Sequence, residues 1–168
     1  MTVVEVLFLL LGLLAAGAAV GVAISRNLVH CALWLVVSLG ALAGCYLVLA
    51  AEFVAWVQVL IYLGAVVVLL LFALMLTRAP TGPIPELTSA NKWLAALVSV
   101  TATGLLIGCF AAGFSDARID VGADDIGTAN AVGSAIFSSW VLAFEILSAL
   151  LLAALVGAIV LSRRKGPT

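Results

Sequence analysis

Five stretches of this chain run for about twenty residues each with almost no charge, and no other feature limits its fold so tightly. They cover roughly residues 3–24, 28–51, 53–76, 93–114 and 140–161. The hydrocarbon core of a bilayer is about 30 Å thick, and an α-helix needs about 20 apolar residues to cross it. No water reaches that layer, so a lipid-exposed chain must satisfy its backbone N–H and C=O groups internally, as a helix does. The expected fold is therefore all-α: a single membrane domain, 1–168, built as an integral bundle of five transmembrane helices. Composition agrees, because 66% hydrophobic and 9% charged residues leave little with which to clothe a soluble domain, where about 25% of residues are charged.

The first stretch does not read as a secretory signal. Its only early charge is Glu5, where a basic segment would be needed, and its apolar run exceeds the usual ~15 residues. It is expected to be a retained helix. Charge then orients the bundle. Arg26, Arg78, Lys92, Arg163, Arg164 and Lys165 fall at helix ends on one side, whereas the other side has Arg118 among Glu5, Glu52, Asp116, Asp120, Asp124 and Asp125. Basic residues gather on the cytoplasmic side, which predicts an N-terminus outside and a C-terminus in the cytoplasm. Removing any one helix would scramble this alternation. No internal repeat is visible, and five helices do not divide into the equal halves of an inverted-repeat transporter.

Short turns are expected at Arg26–Asn27 and at Glu52. Residues 77–92, with three prolines, read as an irregular loop. Residues 115–139 form a longer acidic loop, in which Thr128 can cap a short interfacial helix running toward Phe137. Its aspartates do not match the spacing of a calcium loop and read as a solvated acidic segment. Gly17 and Gly21, Gly40 and Gly44, and Gly104 and Gly108 repeat at four-residue spacing, a pattern that lets helix backbones approach closely in lipid.

Several chemistries are excluded. His30 is the one histidine, so a haem held by two histidines cannot be built from this chain alone. Cys31, Cys45 and Cys109 lie far apart within the helices, without the spacing of a zinc or iron–sulfur site, and read as small buried apolar groups. Neither a phosphate-binding loop nor a nucleophile motif is present. No cofactor and no nucleic acid is expected to bind this chain, and its principal environment is the lipid bilayer.

Polar residues inside the spans are costly, and ionisable ones there suggest function. Glu145 lies five residues past Trp140, about 8 Å along a helix. It fits either a protonated or partnered intramembrane acid or a carboxylate reaching back to the interface. The third stretch holds Gln58, Tyr62 and Gly64 near its middle, followed by Val66, Val67 and Val68. Tyr62 would sit about 14 Å deep, far from the interfacial belts tyrosine prefers, with Gln58 one turn earlier on the same face of a regular helix. A glycine followed by stiff β-branched residues suits a departure from α-geometry such as a π-bulge. It equally suits close packing at Gly64, with the Tyr62 hydroxyl bonded to a neighbouring helix.

The segment "AEFVAWVQVLIYLGAVVVLLLFALML" resembles the third helix of the subunit J family of NADH–quinone oxidoreductase, respiratory complex I, whose mitochondrial counterpart is chain 6. The resemblance extends back through "NLVHCALWLVVSLGALAGCYLVLAAEF" and resumes at "IGTANAVGSAIFSSWVLAFEILSALLLAALVGAIVLSRR". The chain departs from the family at Leu28, where a proline is usual, and in the fourth helix and both long loops.

The resemblance implies a multi-pass subunit of the bacterial inner membrane, without redox or bond chemistry of its own. It would belong to a proton-translocating enzyme whose NADH, FMN, iron–sulfur clusters and quinone reside on other subunits. Its partners would be other membrane-arm subunits, including the one that forms the quinone site. In the family the third helix interconverts between π-bulged and regular α forms, altering a hydrated path beside that site. The matching positions here are Tyr62, Gly64, Val66, Val67 and Val68, with Gln58 and Glu145 as further candidates on the proton path. A related hydrogenase-type or cation-antiporter complex, a stand-alone channel or transporter, and a purely structural subunit are the competing readings.

Overall fold

The computed structural model describes residues 2–25, 27–77, 92–114 and 127–163. Every regular element among them is helical: α1 (Val3–Ile24), α2 (Leu28–Val48), α3 (Glu52–Val57), a π-helical segment (Gln58–Val66), α4 (Val67–Leu76), α5 (Lys92–Phe114), α6 (Ala129–Ser139) and α7 (Val141–Arg163). The π segment runs continuously into α3 and α4. Five helices are therefore long and apolar enough to cross a membrane: Val3–Ile24, Leu28–Val48, Glu52–Leu76, Trp93–Gly113 and Val141–Arg163. The protein is a multi-pass membrane protein with the expected number of spans. Residues 78–91 of the proline-rich loop, residues 115–126 of the acidic loop with all of its aspartates, Arg26 and the basic residues beyond Arg163 lie outside the described residues.

Local chemistry sets the helix ends. A helix leaves its first N–H groups without intrahelical partners. At α1 the Thr2 hydroxyl accepts from the Glu5 N–H at 3.4 Å, and the Glu5 carboxylate accepts from the Thr2 N–H at 3.0 Å, a reciprocal capping box. Asn27 caps α2 by accepting from the Val29 N–H at 3.0 Å. The second helix stops at Val48, three residues short of the sequence expectation, because Ala50 turns left-handed (φ 57°). The Ala51 N–H then bonds the Tyr46 carbonyl at 2.9 Å and the Ala50 N–H bonds that of Leu47 at 3.1 Å. This paired closure satisfies the last carbonyls of the helix, with alanine in the place glycine usually takes. Thr128 begins α6 as expected, its hydroxyl accepting from the Ala131 N–H at 3.4 Å.

The core is thin and made of small side chains. Ala15, Ala18, Ala32, Ala41, Ala43, Cys45, Ala55 and Val67 form the buried apolar set, and all lie on the first three spans. Helices α1 and α2 pack antiparallel: Leu11 lies against Gly44, and Trp34 covers Gly21. Between these contacts the Ser38 hydroxyl donates to the Ala15 carbonyl at 3.0 Å. The other side of α2 receives the third span, where the Leu63 side chain reaches Gly40. Helix α5 packs against no other described helix, and α7 touches only α6. The glycine pairs accordingly split. Gly21 and Gly44 sit under neighbouring side chains, whereas Gly17, Gly104 and Gly108 face open space. The cysteines differ likewise: Cys45 is buried, Cys31 is half-buried with its thiol directed at the Ser25 and Val22 carbonyls, and Cys109 is exposed on α5.

Candidate functional site

The third span begins without a side-chain cap, since Ala51 has none to offer. The Phe53 N–H, one of the orphan donors of that end, is instead satisfied by the Gly127 carbonyl at 3.1 Å. Gly127 lies so close to the Ala50–Ala51 turn that a Cβ there would overlap the Ala50 carbonyl. Glycine is the residue that permits this contact, and through it the start of α6 is clasped to the head of the third span. Sequence reasoning singled out Thr128 but passed over Gly127, and a glycine preceding a cap residue carries no signal of a distant partner.

Six residues into the span the backbone changes register. Residues Gln58–Val66 form a π-helix, and the Val67 N–H returns to the Tyr62 carbonyl, five residues back. The burial pattern records the insertion. Ala55 and Gln58 are buried, the next inward positions are Leu63 and Val67, and Leu71 and Leu74 follow half-buried. Steps of three and four residues are thus interrupted by one step of five, from Gln58 to Leu63.

That step separates residues expected to share a face. Gln58 is 7% exposed and Tyr62 50% exposed, because Tyr62 is carried outward by the added residue. Val67 is 1% exposed and is the largest fully buried side chain, whereas Val66 and Val68 on either side of it are exposed. The three valines therefore do not act as one surface. Gly64 is exposed, and a Cβ built on it would meet only the Val59 carbonyl, at 3.4 Å. Among the described residues, no neighbouring helix requires glycine at that position. The Tyr62 hydroxyl likewise bonds no described residue.

Gln58 presents the opposite case, an amide taken into the helix contact. No buried side-chain polar atom among the described residues lacks a hydrogen-bond partner, and no described residue bonds this amide. Its polar atoms therefore reach the remaining opening of the surface. Burying an amide without a partner costs about 1–3 kcal/mol, so that opening is a place for water or for a polar neighbour.

Glu145 stands apart from this cluster. It is exposed on α7, which does not touch the third span. His30 is also exposed, at the start of α2, where it borders an open depression with Leu33, Trp34 and Val37.

The sequence pattern of NADH-ubiquinone/plastoquinone oxidoreductase chain 6 matches residues 18–161, from within α1 almost to the end of α7. The chain belongs to this family. Chain 6 relatives carry the likeness across nearly the whole length. F(420)H(2) dehydrogenase subunit J of Methanosarcina mazei is 35% identical over 95% of this chain and 90% of its own length. NAD(P)H-quinone oxidoreductase chain 6 of Synechocystis sp. is 39% identical over 94% of this chain and 79% of its own. NADH-quinone oxidoreductase subunit J of Rhodobacter capsulatus is 30% identical over 98% and 84%. As a chain 6 protein it is a subunit of a membrane oxidoreductase complex of the NADH–quinone type. The three relatives are named for different electron donors.

Proposed function

We propose that this protein is a non-redox membrane-arm subunit of a proton-translocating quinone oxidoreductase and that its third span is the switch coupling quinone chemistry to proton movement. The observation that carries the reading is the π-helical segment Gln58–Val66, centred on Tyr62 and flanked on both sides by regular helix. Such segments mark functional sites more often than chance.

In this reading the π-helical form has a regular α-helical counterpart. Removing the inserted residue from the π turn rotates everything after it by about 100°, the angle of one α-helical residue. Gln58 keeps its place, Tyr62 replaces Leu63 toward α2, and Val66 replaces Val67. A phenol then stands one turn from the amide, and a polar path lengthens along the helix contact. In water such a rearrangement would expose apolar surface at high cost. In lipid there is little hydrophobic drive between helices, and the exchange involves mainly packing and hydrogen bonds. A bistable element of this kind is what coupling between separated sites needs.

Electron transfer and the main proton-carrying acids reside on partner subunits in this reading, including the subunit that binds quinone, with NADH as donor, FMN and iron–sulfur clusters as its relay, and the bacterial inner membrane as location. In this reading the N-terminus faces outward and the C-terminus the cytoplasm, which the basic helix ends support. A complex supplied by another donor is the second reading, favoured by the similarity to a subunit named for F(420)H(2).

The test is a pair of substitutions in the assembled complex. Gly64→Ala and Tyr62→Phe are expected to lower coupled quinone reduction or the proton yield per turnover while leaving assembly unchanged on native gels. Normal turnover and normal proton yield in both variants would sink the switch and leave a structural subunit. Co-purification of this chain with its redox partners, assayed with NADH and with alternative donors, decides the donor.

A further inference from the structure

Beyond the centre of the π segment the third span repeats itself. Residues 66–71 read Val-Val-Val-Leu-Leu-Leu. The inward side chains there are Leu63, Val67, Leu71 and Leu74. Removing the inserted residue carries each side chain past the π turn into the place of the one that follows it, a rotation of about 100°. The inward set becomes Tyr62, Val66, Leu70 and Ala73. In the middle, valine replaces valine and leucine replaces leucine, the kind of volume-conserving exchange that packing tolerates best. Side-chain size changes only at the two ends, with Tyr62 for Leu63 and Ala73 for Leu74.

The Leu74 end meets a pocket of about 180 Å³ where α1, α2 and α4 converge, lined by Val22, Leu28, Cys31 and Leu35 together with Leu70 and Leu74. The Cys31 thiol lies 3.2 Å from the Ser25 carbonyl and 3.4 Å from that of Val22. In the turned helix Leu69 takes the place of Leu70 and leaves that wall unchanged, whereas Ala73 in the place of Leu74 removes most of the other. A leucine-to-alanine exchange at a packed site loses contacts and enlarges the cavity, so this end packs better in the π register. The two ends of the span are also held differently. The Phe53 N–H is tied to the Gly127 carbonyl at 3.1 Å, whereas the Thr77 N–H and hydroxyl both bond the Ala73 carbonyl, at 2.9 and 2.8 Å. The closing bonds of α4 turn with α4.

We propose that Leu74, seated at the Cys31 pocket, is the latch that holds the third span in its π register, and that turning the span puts Ala73 there and opens the pocket. This rests on the reading of the third span as a switch. The experiment uses the intact complex and follows the native Cys31 thiol by peptide mass spectrometry after a pulse of N-ethylmaleimide, at rest and during quinone turnover. Turnover is expected to raise the Cys31 labelling rate several-fold. Ala73 is exposed in the π register, so Ala73→Leu should leave the resting rate unchanged, yet abolish the rise by restoring a leucine to the pocket in the turned helix. Leu74→Ala should bring the resting rate up to the turnover rate. A rise undiminished in Ala73→Leu, or a resting rate unmoved by Leu74→Ala, overturns the latch. A separate Leu74→Cys variant, joined to Cys31 at rest by a short bismaleimide, reports the turning itself through loss of that crosslink during turnover. A constant Cys31 rate beside a lost crosslink overturns the latch and leaves the switch standing. A constant rate beside an unchanged crosslink overturns both.

Discussion

The first three spans and the last two solve the same problem, crossing a bilayer, in opposite ways. In the first group α2 is held between α1 and the third span, and every fully buried residue named above lies there. The second group has comparable apolar helices, yet α5 and α7 bury no residue of their own. Hydropathy does not separate the two, because a helix that faces lipid and a helix that faces another helix are equally apolar. The difference lies in small residues placed opposite side chains that fill them, such as Gly44 under Leu11 and Gly21 under Trp34. Gly104 and Gly108 have the same spacing without a filler among the described residues. A small-residue pair is a socket, and only the fold tells whether the plug belongs to the same polypeptide.

Substitutions can break this contrast. The largest effect is expected at Gly127, where any Cβ overlaps the Ala50 carbonyl and also comes within 2.8 Å of the Ala51 Cα. Gly127→Val should open the clasp, free the Phe53 N–H and cost about 1–3 kcal/mol for the lost cap alone. Faster hydrogen exchange across residues 50–56 would report it, and unchanged exchange would refute the clasp. Next comes Gly21→Val, whose Cβ falls 2.8 Å from the Trp34 ring. Overpacking of this kind costs about 1–3 kcal/mol, read as a lower unfolding midpoint in detergent. Ser38→Ala removes the hydroxyl bond to Ala15 and is expected to cost less, about 0.6 kcal/mol, the average for interhelical hydrogen bonds in lipid. The smallest change should come from Gly104→Ala and Gly108→Ala in the isolated chain, within about 0.5 kcal/mol. The same pair sharpens the comparison if it weakens the assembled complex: a loss there but not in the isolated chain would locate a partner on α5.

Much of this was legible beforehand because the bilayer limits the alternatives so severely. The five spans and the Thr128 cap follow from residue types at fixed spacing, and a departure from α-geometry near Gly64 was one of two readings that the residues allowed equally. What the residues left open was resolved by packing. Gln58 and Tyr62 share a face on paper because a regular helix repeats every four residues, and the five-residue step of the π segment parts them. The run Val66, Val67 and Val68 reads as one stiff patch, whereas the register buries Val67 and exposes its neighbours. Close helix approach was one of the two readings of Gly64, yet no other described helix comes within 4 Å of a Cβ built there. Gly127 and Ala50 were illegible, since their meaning depends on meeting each other across more than seventy residues.

By itself the sequence determined that this chain must be helical and must cross a membrane, because in hydrocarbon each backbone group has to be satisfied within its own segment. It also marked where the third helix could depart from α-geometry, since glycine and β-branched residues are poor helix formers. Only the tertiary structure decided how far that disturbance extends, which side chains it turns toward α2, and which spans find partners within the chain. Those outcomes depend on contacts between residues far apart in sequence, and in lipid such contacts are selected by fit rather than by hydrophobicity.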